Sequence, residues 1–308
     1  MPSPVTQTFL GVPSVSLNDL AAEDIVILGA PEATPYTPGK ASHCHDAPDA
    51  VRAVMARLGE WSGHYDFELD TTLIPQGGRR ICDVGDLPGD PTTPEQNRAR
   101  ITDAVARVLA ADAMPIVIGG DDSVPIPVLA AYENSGPIWV VQVDAHLDWR
   151  DEREGVREGW SSPMRRASEM PWVDGIVQIG IRGVGSARPS DVDAARNYGA
   201  KIFTAREVHS YGIGKAVEAL PQGARCFLTI DFDGIDPTVV PAVLSQVPGG
   251  LTYWHIIELI ESLCTRGMLV GADVVELAPQ LDVNNLGVRT AGRIIANLAG
   301  NCSKASSG

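Results

Sequence analysis

Short β-branched apolar runs alternate with longer stretches whose apolar residues recur at helical spacing. The runs Asp24–Gly29, Pro115–Gly119, Ile138–Val143, Ile176–Ile181, Lys201–Phe203, Phe227–Asp231 and Met268–Val275 read as strands. They are continuously apolar rather than alternating, the pattern of strands covered on both faces. Helices are predicted over Ala47–Leu58, Pro94–Ala111, Val124–Tyr132, Arg188–Tyr198, Ile213–Ala219, Tyr253–Ser262 and Asn285–Leu298. A βαβα rhythm of this kind predicts a three-layer α/β/α sandwich with a mostly parallel central sheet. With no internal repeat and no linker rich in Pro, Gly or Ser, residues 1–308 read as one domain. Short flexible ends are expected at about 1–20 and 302–308.

Composition narrows the class. At 44% hydrophobic and 20% charged residues, the 308-residue chain is neither disordered, collagenous nor a coiled coil. It contains no apolar run near the ~20 residues that span a bilayer. The net charge of −15 and a pI near 4.7 argue against nucleic acid and anionic membranes. They suit a cationic substrate or a bound metal. Cys44, Cys82, Cys226, Cys264 and Cys302 are odd in number, widely spaced and free of CxxC, which predicts reduced thiols and a cytoplasmic setting. Met1–Leu10 lacks the basic and apolar regions of a signal peptide.

Ligands of open α/β sheets bind beyond the carboxyl ends of the strands. Three predicted strands run into acidic turns there: Gly119-Gly120-Asp121-Asp122-Ser123, Asp144-Ala145-His146-Leu147-Asp148 and Asp231-Phe232-Asp233. If these segments stay extended, period-two spacing aims Asp144, His146 and Asp148 one way, and Asp231 with Asp233. Crowded carboxylates repel unless cations sit among them. One His among several Asp suits borderline-hard dications, Mn²⁺ ahead of Ni²⁺, Co²⁺ or Zn²⁺.

GGDDS, DAHLD, TIDFDGIDP, GGLT (Gly249–Thr252) and ADVVEL (Ala272–Leu277) occur here in the order seen in ureohydrolases, and the chain resembles the arginase and agmatinase family from about Asp24 to Leu298. GAP (Gly29–Pro31), the turn CDVGDLP (Cys82–Pro88) and GIRG (Gly180–Gly183) extend the match. The resemblance implies an arginase-like fold, two divalent metals (Mn or Ni) and hydrolysis of a guanidino C–N bond by metal-activated water. It implies that Asp144 and Asp231 bridge the metals. Asp148 would bind the first metal and support the attacking hydroxide, and His146 and Asp233 would bind the second. Glu276 matches the carboxylate that pairs with the guanidinium.

The chain also departs from that family. Asp122 stands where the family turn GGDHS has a metal-binding His. Trp160 falls where a proton-handling His-Gly-Thr segment is expected, and its indole cannot shuttle a proton, though it can stack on a guanidinium or biguanide plane. Ala242–Gln246 replaces a Gly-Thr-Gly-Thr-Pro loop, with Ser245 keeping one hydroxyl for substrate. Lys40–Asp46 replaces an Arg/Gly-rich segment, and its His43 and His45 read as surface or interface residues rather than an extra metal pair. Asp273 reads as a supporting acid near the site, and Asp236 as the brace of the turn before Pro237.

Two functions follow from matches and departures together. One is a metallohydrolase component that cleaves a C–N bond of a small cationic guanidino or biguanide compound. The other is a catalytically degenerate subunit of a mixed oligomer. A homo- or hetero-oligomer, trimer or hexamer, is expected by resemblance, the mixed form alongside an orthodox ureohydrolase homologue.

Overall fold

A computed structural model describes residues 1–2, 7–266 and 268–304. Eight strands form the central sheet: β1 (Ile25–Ala30), β2 (Ile81–Asp86), β3 (Met114–Gly119), β4 (Ile138–Val143), β5 (Val173–Ile181), β6 (Lys201–Thr204), β7 (Cys226–Asp231) and β8 (Leu269–Val275). Their spatial order is β2-β1-β3-β8-β7-β4-β5-β6, and every neighbouring pair is parallel. The helices are α1 (Ala47–Gly59), α2 (Pro94–Ala110), α3 (Pro125–Ala130), α4 (Pro163–Ser168), α5 (Pro189–Tyr198), α6 (Ala205–Tyr211), α7 (Gly214–Glu218), α8 (Tyr253–Thr265) and α9 (Leu286–Ser303).

The apolar runs explain the three layers. Successive strand side chains point to opposite faces, and in β1 both faces are buried. Ile25 and Ile27 of β1 join a core with Val51 and Met55 of α1, Ile256 and Ile260 of α8, and Ile294 and Ile295 of α9. Val26 and Leu28 join a second core with Ile101 and Val105 of α2, Val128 of α3 and Met164 of α4. A strand interior to both cores has no polar face to alternate with. Among the described residues, no helix is long and apolar enough to cross a membrane.

Several elements differ from expectation. Most of Cys82–Pro88, read as a turn, lies in the edge strand β2. α4 and α6 span 6 and 7 residues, too short to display a helical period. A two-strand antiparallel hairpin pairs Tyr65–Asp66 with Thr71–Thr72. Of the N-terminal segment expected loose, residues 3–6 lie outside the described residues and the part from Phe9 on is pinned: Phe9 and Leu10 are buried, the Phe9 N–H donates to Asp83 Oδ2 at 2.9 Å, and Ser14 bridges Asp83. At the other end, Ser303 closes α9 through two hydrogen bonds with Arg79, the Arg79 N–H to Ser303 O at 2.8 Å and Ser303 Oγ to Arg79 O at 2.7 Å. Residues 305–308, the rest of that expected loose end, lie outside the described residues.

Candidate metal centre

The four central strands β3, β8, β7 and β4 lie side by side, so their carboxyl ends open onto one spot. β3 delivers Asp122, β8 delivers Glu276, β7 delivers Asp231 and Asp233, and β4 delivers Asp144, His146 and Asp148. The convergence does not come from extended, period-two segments as the spacing predicted. β4 ends at Val143, and Asp148 sits at φ 50 in the left-handed region. β7 turns at once into a 3-10 turn, Phe232–Gly234, capped by Asp231 Oδ1 accepting the Asp233 N–H at 2.7 Å. Glu276 follows β8 at φ 65, its own N–H held by Gly120 O at 2.9 Å. Left-handed backbone at a non-glycine residue costs energy and persists where the surroundings hold it. Two such residues here aim carboxylates inward.

Two donor groups result. Asp144, His146 and Asp233 bring one ligand atom each within 4.8 Å of the others, and so do Asp122, Asp144 and Asp148. Asp144 belongs to both. His146 Nδ1 lies 2.9 Å from Asp233 Oδ2, while Asp233 Oδ1 accepts the Ala145 N–H at 3.1 Å. Asp231 joins neither triad but is buried and faces the same cleft. Behind them Gln142, two residues before Asp144 on β4, donates from Nε2 to Asp144 Oδ2 at 2.7 Å and to Asp148 Oδ2 at 3.1 Å. Gln178 Nε2 donates to Gln142 Oε1 at 2.6 Å, and Trp149 Nε1 donates to Gln178 Oε1 at 2.8 Å. This chain of amides fixes which way the carboxylates face.

Burial dominates the electrostatics. It pushes Asp122, Asp144 and Asp231 well above the usual carboxylate range, and neighbouring acids push further. It raises Asp148 and Glu276 as well. For His146 burial works the other way, but the Asp233 hydrogen bond and the surrounding negative charge outweigh it and raise the imidazole to about 9. Both carboxylate oxygens of Asp122 are buried without a hydrogen-bond partner. Orphaned buried acceptors among raised carboxylates are what a dication would satisfy. A donor set of carboxylate oxygens with one imidazole fits a borderline-hard ion, so the residues present suit divalent metal.

The cleft over this cluster has a volume of about 260 Å³. Glu276, Asp231, His146, Trp160, Ser245 and Arg153 are among the residues that line it. The residues expected at the site therefore come together, Asp122 and Asp144 through the donor groups and the others around the cleft, whereas His45, Asp236 and Asp273 do not line it. Sequence reasoning missed others. His43, read as a surface residue, lies in the cleft with its side chain 17% exposed. Arg182, seen only as part of GIRG, donates to Asp233 O at 2.8 Å, Gly234 O at 3.0 Å and Val247 O at 2.7 Å, bracing the turn that carries Asp233. A strand-end arginine was the available signal, but its carbonyl partners are remote in sequence. Asp236 does brace its turn, accepting from the N–H groups of Thr238, Gly249 and Gly250 at 2.9–3.0 Å.

Comparison with known proteins agrees with this architecture. The Arginase family model matches residues 23–300. Proclavaminate amidinohydrolase of Streptomyces clavuligerus is 31% identical over 274 residues, covering 84% of this chain and 82% of that one. Guanidinopropionase of Pseudomonas aeruginosa is 34% identical over 223 residues, 68% of each chain. N(1)-aminopropylagmatine ureohydrolase of Thermus thermophilus is 31% identical over 186 residues, and the match spans 60% of this chain and 62% of that protein's length. The solved structure of the Streptomyces clavuligerus proclavaminate amidino hydrolase superposes with a TM-score of 0.80 at 26% identity, covering 98% of this chain and 99% of that one. The chain belongs to the arginase family. That family depends on a binuclear metal centre, and two candidate donor groups stand at the carboxyl end of this sheet.

Proposed function

We propose that this chain is a metal-dependent hydrolase component of the ureohydrolase type, cleaving a C–N bond of a small cationic guanidino or biguanide compound. The observation that carries this reading is the convergence of two donor triads, sharing Asp144, with Glu276 under one cleft. When bound, two divalent ions supply Lewis acidity that lowers the pKa of water. Asp144, His146 and Asp233 would hold one ion, and Asp122, Asp144 and Asp148 the other, with Asp231 facing both. Mn²⁺ or Ni²⁺ suits the set. Gln142 holds Asp144 and Asp148 in register for this task. Glu276 pairs with the guanidinium N–H groups, a planar donor array that a buried carboxylate matches well. Trp160 and Ser245 give the substrate an aromatic wall and a hydroxyl. The surroundings are cytoplasmic and the assembly a trimer or hexamer.

A second reading is supported by specific features. Asp122 replaces the imidazole expected of the first metal, Trp160 offers no transferable proton, and both oxygens of Glu276 already accept hydrogen bonds from this chain. These favour a catalytically degenerate subunit working beside an orthodox homologue. The decisive experiment is elemental analysis and a guanidino-compound activity panel on the purified chain, alone and mixed with such a homologue. Activity of the chain alone, lost at least ~100-fold in kcat/KM by Asp233→Asn, supports the enzyme. Unchanged turnover in a well-folded Asp233→Asn variant removes this site from the chemistry. Activity that appears only in the mixture supports the subunit reading.

A further inference from the structure

Glu276 is held from two sides. Its Oε1 accepts the Asp122 N–H at 2.9 Å, and its Oε2 lies 2.5 Å from His43 Nε2. The two side chains are only 17% and 9% exposed. The loop that presents His43 is tethered: Gln280 Nε2 donates to His43 O at 2.7 Å, and Glu32 Oε1 accepts the Ser42 N–H at 2.8 Å and meets His45 Nδ1 at 2.9 Å. Cys44 Sγ, 3.9 Å from Glu276 Oε2, completes a His-Cys-Glu group. The 2.5 Å separation of His43 Nε2 and Glu276 Oε2 is a direct, charge-assisted hydrogen bond. Burial lowers the His43 pKa, but the hydrogen bond and charge of Glu276 outweigh it and leave the pKa raised.

The aromatic wall is also engaged from within. The Arg153 guanidinium lies 4.7 Å from the centre of the Tyr36 ring and 6.0 Å from that of Trp160. Tyr36 packs edge-on to Trp160 at 4.2 Å, and the His43 ring stands 5.6 Å from Trp160. The carboxylate and the ring that would receive a planar cation thus both face basic side chains of this same chain.

We propose that His43, supported by Arg153, is the specificity-determining occupant of the guanidinium subsite: a ligand reaches Glu276 only by displacing the imidazole, and a simple guanidinium ion is excluded. This rests on the reading of Glu276 as the guanidinium partner. His43 leaves when the incoming cation offers more than one N–H and more stacking area than the imidazole does. An extended planar biguanide meets that condition better than guanidinium itself.

The test is calorimetric titration of guanidinium chloride into the metal-loaded full chain. The proteins compared are the wild type, His43→Ala, His43→Asn and the double variant His43→Ala/Glu276→Gln. His43→Asn keeps a polar side chain but lacks the atom that reaches Glu276, which guards against a packing artefact of alanine. Circular dichroism and metal content should match in all four. Both single variants should bind guanidinium at least ~10-fold more tightly than the wild type, with the gain lost in the double variant. Wild-type binding as tight as that of the single variants overturns the occupant role and leaves the Glu276 reading standing. A gain that survives Glu276→Gln, or no binding by any variant, overturns both.

Discussion

Asp273 shows how much a single buried acid contributes. It sits inside β8 beside Thr229 of β7, fully buried, with neither oxygen hydrogen-bonded. Burial raises its carboxyl to about 7, with Thr229 offsetting part of the effect. An acid whose folded-state pKa is raised is favoured protonated by the fold. Its ionisation therefore weakens folding progressively as pH climbs from the unfolded value of about 3.9 toward 7. At 1.36 kcal/mol per unit over about three units, the loss approaches roughly 4 kcal/mol above that window. Asp273→Asn should flatten urea-unfolding stability between pH 5 and pH 8 and exceed the wild type at pH 8, in metal-free protein. Parallel pH curves for the two proteins would show that Asp273 is not the group responsible.

At the scale of elements, a buried ion pair joins α1 to the sheet edge. Arg52 of α1 donates from Nε to Asp83 Oδ2 at 2.8 Å and from the guanidinium to Asp83 Oδ1 at 3.0 Å. It also contacts Asp86. The same Asp83 carboxylate accepts the N–H groups of Phe9 and Gly85, so one residue of β2 gathers the N-terminal segment, the strand end and the helix. The Arg52 and Asp83 side chains are 2% and 0% exposed. Removing one partner strands the other charge in the core, which costs about 3–5 kcal/mol. Arg52→Ala should lose that much in urea unfolding. The paired replacement Arg52→Met/Asp83→Leu should recover part of it, even though the leucine gives up Asp83's backbone hydrogen bonds. A loss under 1 kcal/mol for Arg52→Ala would mean that α1 is held by its apolar face alone.

For the whole molecule, the cluster at the sheet's end makes metal and fold interdependent. Buried carboxylates that repel one another destabilise the folded chain until cations are present. An ion that binds only the folded state adds about 2.7 kcal/mol at 100 times its Kd. Chelation should therefore lower Tm by several degrees, and readdition of Mn²⁺ or Ni²⁺ should restore it. Asp144→Asn should blunt the response more than any other single change, because Asp144 serves both triads. A chelated protein with unchanged Tm would show that these carboxylates do not hold metal in solution.

Local pattern carried the sheet and much of the site. Hydrophobic runs specified seven of the eight strands to within a few residues, because a strand buried on both faces must be apolar throughout. The acidic turns were legible because parallel strands put their carboxyl ends at one edge, so a motif following a strand is already near its partners. β2 was missed because its polar residues, Asp83 and Asp86, hide a buried strand behind what reads as a turn. What lay beyond sequence were contacts whose partners are far apart along the chain. His43 and Glu276 are separated by 233 residues, and nothing in KASHCHD announces that its first histidine ends in a cleft. Cys264 and Cys302, counted as widely spaced, have sulfur atoms 2.9 Å apart where α8 meets α9. Composition and periodicity determine which segments must be buried and in what secondary structure, since those costs are local. The strand order β3-β8-β7-β4 and the path of the 40–46 loop decide which polar groups meet. That choice depends on packing energies summed over the whole sheet, which no short stretch of sequence contains.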